Sequence, residues 1–168
     1  MPVRGGATRP GVPGPQAVGE ALHTLAAYAE RGPVLASFVR VGWTDDAVYL
    51  DLGTPDRSAV KVTAEGWSIV VRPRAMFLRP PGLLPLPEPV GGSGARGIRE
   101  LIRLLGLKRE ASMLVVGWLL GCLMPGGPYP VLALSGVQGS GKTTITRILR
   151  RLVDPNAAET RAAPSGTC

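Results

Sequence analysis

Residues 136–143 read Gly-Val-Gln-Gly-Ser-Gly-Lys-Thr and satisfy G-x-x-x-x-G-K-[ST] at every fixed position. Each residue type has a physical reason. Gly136, Gly139 and Gly141 open backbone dihedrals closed to other residues and let amides approach an anion closely. Several N–H groups then converge into an anion-binding nest. A helix starting near Lys142 aims its positive dipole end at the same point. The flanks agree: Val131, Leu132, Ala133 and Leu134 form a short apolar run, the pattern of a strand buried on both faces, and a helical pattern runs from about Lys142 to Val153. Strand, glycine loop and helix together predict a phosphate-binding unit. Its expected ligand is Mg-ATP, held by Gly136, Val137, Gln138, Gly139, Ser140, Gly141, Lys142, Thr143 and Thr144. Lys142 is expected on the β- and γ-phosphates, and the Thr143 hydroxyl on Mg²⁺.

The rest of the chain sorts by periodicity. Residues 1–15 are rich in Gly and Pro, carry no apolar period and are expected to be disordered. From Gln16 to Arg31 the spacing turns helical, with Val18, Leu22, Leu25, Ala26 and Tyr28 mainly on one face, stopped by Gly32-Pro33. From Val34 to about Phe77 the period is two. It predicts strands at 34–41, 47–52, 59–63 and 67–71, with turns at Asp45-Asp46 and Glu65-Gly66. This is a small antiparallel meander, in which Trp43 and Trp67 are expected to pack. Residues 79–95 are a Pro/Gly-rich connector, where a domain boundary is expected. Helices follow at 98–105, ended by Gly106, and from about Arg109 to Met124. The fold class is therefore α/β: a helix plus meander over 16–78, then a helical connector and the first β–loop–α unit of a nucleotide-binding domain over 96–155. An irregular tail covers 156–168.

Charge narrows the partners. The chain of 168 residues carries a formal net charge of +7, which favours polyanions. The excess is uneven, with six basic and seven acidic residues up to Val71 and thirteen basic against five acidic from Arg72 on. Arg96, Arg99 and Arg103 share a helix face, and Arg147, Arg150 and Arg151 cluster on the last helix. A DNA phosphate backbone is a candidate partner for these faces, with solvated helix surface as the bland alternative. Cys122 and Cys168 belong to no Cys-x-x-Cys pair and His23 is the only histidine, which argues against a zinc site or a disulfide framework and for a reducing cytoplasm. The most apolar stretch, residues 111–124, is shorter than the ~20 residues a membrane span needs, so a buried helix is expected.

Hydrolysis needs a carboxylate for the metal, usually at the end of a later apolar strand. Leu152-Val153-Asp154 continues the last helix instead, and Asp51, at the end of Val48-Tyr49-Leu50, reads as part of a hairpin strand. No arginine finger can be named. The sequence reads as a chain that stops one helix into its nucleotide-binding domain, a truncated or frameshifted product.

A resemblance joins these observations. The stretch from about Val41 to Asn156 resembles the primase–helicase-like ATPases of bacterial mobile elements and prophages, relatives of superfamily 3 helicases. It is carried by VYLDLG at 48–53, the stretch ending at Gly66-Trp67, RPRAMFLRP followed by LLPLPEP, and GPYPVLALSGVQGSGKTTITRILRRLVDPN at 127–156. The resemblance implies an ATPase domain behind a small β-rich region, ATP-driven movement on DNA, and homo-oligomers in full-length members. Only the loop residues carry over. Two other functions share the loop: a nucleotide or small-molecule kinase, and an inactive nucleotide-binding or interaction fragment.

Overall fold

The computed structural model describes residues 12–92 and 94–158. Expectations for residues 1–11 and for 159–168, which include Cys168, lie outside them. Two compact units divide the chain between Leu35 and Ala36. The described part of the first holds helix α1, Pro15–Glu30. Pro15 opens it at a position whose amide has no helical acceptor. It ends where Arg31 and Gly32 donate to the carbonyls of Tyr28 and Ala29 at 3.2 and 3.0 Å, just before Pro33. Leu22, Leu25 and Tyr28 are all exposed.

The second unit opens with six strands: β1 Ser37–Phe38, β2 Val41–Thr44, β3 Ala47–Asp51, β4 Ser58–Thr63, β5 Gly66–Val71 and β6 Met76–Phe77. Strands β2 to β5 form a four-stranded antiparallel sheet in sequence order, and β1 pairs in parallel with β6. The expected meander is present, with one difference. Residues 34–41 are not a single strand, because the chain changes partners inside the run. Phe38 pairs with Phe77, whereas Val41 pairs with Leu50. Alternation fixes which side chains face inward, but not which neighbour supplies the ladder. At the crossover, the Arg40 carbonyl accepts the Asp51 amide at 2.8 Å.

Strand β3 shows how the pattern becomes a core. Ala47, Tyr49 and Asp51 fall on one buried face. Tyr49 and Ala47 pack with Ala75, Phe38, Val70 and Phe77, and Leu52 packs with Val60 and Leu86. Trp43 stacks obliquely on Phe38, with ring centroids 4.4 Å apart. Trp67, expected to pack, is 46 % exposed, because it lies on the edge strand β5, whose residues are mostly exposed.

The periodicity that buries Tyr49 also buries a charge. Asp51 is 1 % exposed and accepts two hydrogen bonds from Arg79, Nε to Oδ2 at 3.0 Å and Nη2 to Oδ1 at 2.6 Å. Arg40, 5 % exposed, donates Nη1 to the Asp51 carbonyl at 3.1 Å and Nη2 to the Leu84 carbonyl at 3.0 Å. Its Nε and Nη2 reach Asp154 Oδ1 at 3.1 and 3.0 Å. Planar, bidentate guanidinium contacts of this kind satisfy buried carboxylates and carbonyls together.

The Pro-rich segment is laced into the same region. Leu84 N donates to the Pro155 carbonyl at 2.9 Å, Leu86 N to Leu52 at 2.8 Å, and Ala157 N to Gly82 at 2.8 Å. Gly53, at φ 71°, permits this approach, since a Cβ there would stand 2.9 Å from Leu83.

Three helices follow among the described residues of this unit: α2 Gly94–Leu105, α3 Arg109–Cys122 and α4 Lys142–Val153. Leu105, Val115 and Leu149 form their buried centre, with Leu101, Trp118, Leu132, Ile145 and Ile148 packed around it. Gly106, at φ 60°, ends α2 by donating to the Ile102 carbonyl at 3.2 Å. Residues 131–134 do not form the expected strand buried on both faces. They carry no ladder among the described residues, Val131 is 94 % exposed, and only Leu132 and Leu134 turn partly inward. A strand of this type takes its hydrogen bonds from parallel neighbours, and the described residues supply none.

Arg40→Ala should lower unfolding free energy by about 3 kcal/mol, since several buried acceptors lose one shared donor. Asp154→Asn should cost no more than about 1 kcal/mol, because its side chain is 44 % exposed and that end of the pair is screened. Urea titration of the three proteins checks the order, and equal losses would refute it.

Candidate functional site

The glycine-rich loop leads straight into α4. Gly136, Gly139 and Gly141 have φ of 158°, 80° and 79°. The values at Gly139 and Gly141 lie in the left-handed region that side chains disfavour. A Cβ at Gly136 would stand 2.8 Å from Ser140 Oγ, whereas Cβ atoms at Gly139 and Gly141 would meet open space. The last two glycines are therefore required by dihedral angle, not by crowding. Gly141 is the residue before the first turn of α4, and no side chain caps that end.

The loop's polar groups divide into two sets. The Ser140 amide donates to Val137 at 3.3 Å and the Ile145 amide to Gly141 at 2.9 Å. The amides of Gly139, Gly141, Lys142, Thr143 and Thr144 donate to no carbonyl among the described residues. Unpaired N–H groups at a helix N-terminus, with the helix dipole behind them, attract an anion. The Lys142 ammonium curls back over the loop, 2.8 Å from the Gly136 and Val137 carbonyls and 3.3 Å from Ser140 Oγ. Val137, Gln138, Thr143 and Thr144 are exposed. The structure thus brings all nine sequence-selected residues into one exposed loop and helix turn.

The acids weighed from sequence are elsewhere engaged. Asp51 lies in the antiparallel sheet and is held by Arg79. Asp154 follows α4 at its far end and is held by Arg40. Twelve residues of helix separate Asp154 from Thr143's end, a rise of about 18 Å. Both are structural anchors, a role that only the folded positions of Arg40 and Arg79 disclose.

Arg96, Arg99 and Arg103 do share a face of α2, where they line a shallow depression together with Glu100. Arg96 Nε donates to Glu100 Oε1 at 3.0 Å, one turn along the helix. On α4, Arg150 borders a hollow lined by Trp118, Leu132, Leu134 and Leu149. Burial pushes the Cys122 thiol up from its ordinary value. No helix among the described residues is long and apolar enough to cross a membrane.

Comparison with known proteins adds one finding. A family model described as Actinomycete integrative conjugative element replication protein matches residues 98–167. The match is to a mobile-element replication protein. It covers α2 from Ile98 on, α3, the glycine-rich loop and α4, and leaves the β-meander outside. No curated protein and no solved structure matches the chain.

Gly141→Ala should destabilise the protein by about 1 kcal/mol, the usual cost of a left-handed alanine. Gly97→Ala, inside α2 with nothing within 4 Å of the added methyl, should stabilise it by about 0.5–1 kcal/mol. Opposite shifts in melting temperature are the check, and two shifts of the same sign would contradict the assignment.

Proposed function

We propose that the chain binds Mg-ATP through residues 136–144 and belongs to the replication machinery of a mobile genetic element. One observation carries the nucleotide half. Five amides without backbone partners, two left-handed glycines and an ammonium lie in one short segment where a helix begins. A polyphosphate offers the several acceptor oxygens such a cradle needs. Lys142 exchanges the Gly136 and Val137 carbonyls for β- and γ-phosphate oxygens, and Thr143 turns its hydroxyl to Mg²⁺. The match over residues 98–167 supports the replication half. The resemblance to primase–helicase-like ATPases extends it: ATP binding would serve a motor acting on DNA.

Purified protein should melt at a higher temperature with Mg-ATP or Mg-ADP, as a native-state ligand requires. Lys142→Ala should remove most of that increase. An equal increase in the variant would sink the assignment.

Catalysis by this chain alone is expected near background, because Asp51 and Asp154 are both tied to arginines. Steady-state phosphate release measures it. Lys142-dependent turnover at motor rates would assign the metal-holding acid to another residue.

A further inference from the structure

We propose a second phosphate-binding site on the β-meander, a cleft that takes one nucleotide unit between Arg57 and Arg72. The cleft has a volume of about 380 Å³ and is lined by Arg57, Arg72, Arg74 and Arg79 over a floor that includes Pro73, Met76 and Phe77. That volume is at the small end of the range for ligand sites. Asp51, the one acid that lines it among the described residues, is already held by Arg79, whose remaining Nη1 donates to the Thr54 carbonyl. Arg74 makes only a loose contact with Asp46, 3.7 Å away, which Lys61 shares at 3.8 Å. Asp56, beside Arg57, is turned to Ser58, accepting its hydroxyl at 2.6 Å and its amide at 3.2 Å. The Arg57 and Arg72 side chains have no hydrogen-bond or ion-pair partner among the described residues.

Their backbones mark the same place. The β4–β5 ladder closes with Ser58 opposite Val71. The next residues outward are Arg57 and Arg72, joined by a 3.3 Å hydrogen bond from the Arg72 amide to the Arg57 carbonyl. They sit at φ 63° and 55°, the only described residues other than glycine at positive φ. Such conformations cluster at ligand clamps, where surrounding structure over-determines them. Two left-handed arginines at the end of one ladder, unpartnered, border a cleft with an apolar floor. A phosphate takes the guanidinium pair through charge-assisted hydrogen bonds. The apolar face of an attached base covers Met76 and Pro73. The phosphate can come from a single strand or from a free mononucleotide.

The test is fluorescence anisotropy of a labelled short oligothymidylate, competed with unlabelled dTMP, on the full chain. The Arg57→Asn, Arg72→Asn double variant keeps a side chain that tolerates positive φ. It should melt as the parent does and bind at least about tenfold more weakly, as loss of phosphate contacts requires. The Arg57→Gly, Arg72→Gly pair, which the backbone favours, should show the same loss. Lys142→Ala should bind like the parent, which separates this cleft from the glycine-rich loop. Competition by dTMP at equal phosphate concentration assigns the site to free nucleotide, and failure to compete assigns it to the strand. Parent-like binding by both double variants overturns the proposal, as does a parent that binds neither probe.

Discussion

A single buried guanidinium organises the larger unit. Arg40 touches the carbonyls of Asp51 and Leu84 and the carboxylate of Asp154, so one side chain joins the sheet, the Pro-rich segment and the end of α4. These three stretches lie far apart in sequence. Leu86 of the Pro-rich segment packs on Leu52 and Val60, but among the described residues no buried apolar cluster joins these to the core of the helices. The joint is polar and directional. A hydrophobic contact tolerates sliding, whereas a planar fork of donors fixes distance and angle together. Removing the guanidinium would leave the Asp51 and Leu84 carbonyls without this donor, whereas the half-exposed Asp154 can turn to water.

Much of the local structure was legible because local rules decide it. The period of two gave β3, β4 and β5, and the turn residues separated them. The loop and α4 were readable because three glycines, a lysine and a helical pattern agree over 136–153. Failures came where a distant partner decides. Phe38 and Val41 look alike in the alternation, yet one belongs to a parallel pair and the other to the antiparallel sheet. Trp67 reads as core by its size, but its strand is an edge. Residues 131–134 have the composition of a buried strand, but composition cannot supply neighbours. Asp51 carried a hint of its own: it continues the inward alternation of Ala47 and Tyr49, and a carboxylate on an inward face demands a cation. The identity of that cation, Arg79, lies 28 residues away and is not recoverable from spacing.

The candidate loop and the arginine cleft use different means to expose positive potential. The loop uses backbone amides and a helix dipole, which exist in any sequence with the right dihedrals. The cleft uses side chains, held by a backbone conformation that arginine disfavours. The former depends on glycine and the latter on what surrounds it, so they differ in their tolerance of substitution. The +7 charge of the chain is a bulk property. What selects an anion is the subset of cations whose hydrogen bonds are not already committed within the fold.

Helix α4 begins at the glycine-rich loop and ends beside Asp154, which Arg40 grips. It is therefore a lever with both ends attached. A twelve-residue helix is about 18 Å long and stiff, so a tilt of about 5° at Lys142 displaces the far end by about 1.6 Å. That displacement exceeds what a bidentate contact at 3.0 Å can absorb without breaking. A tilt of that size would therefore part Asp154 from Arg40 unless the sheet moved with the helix.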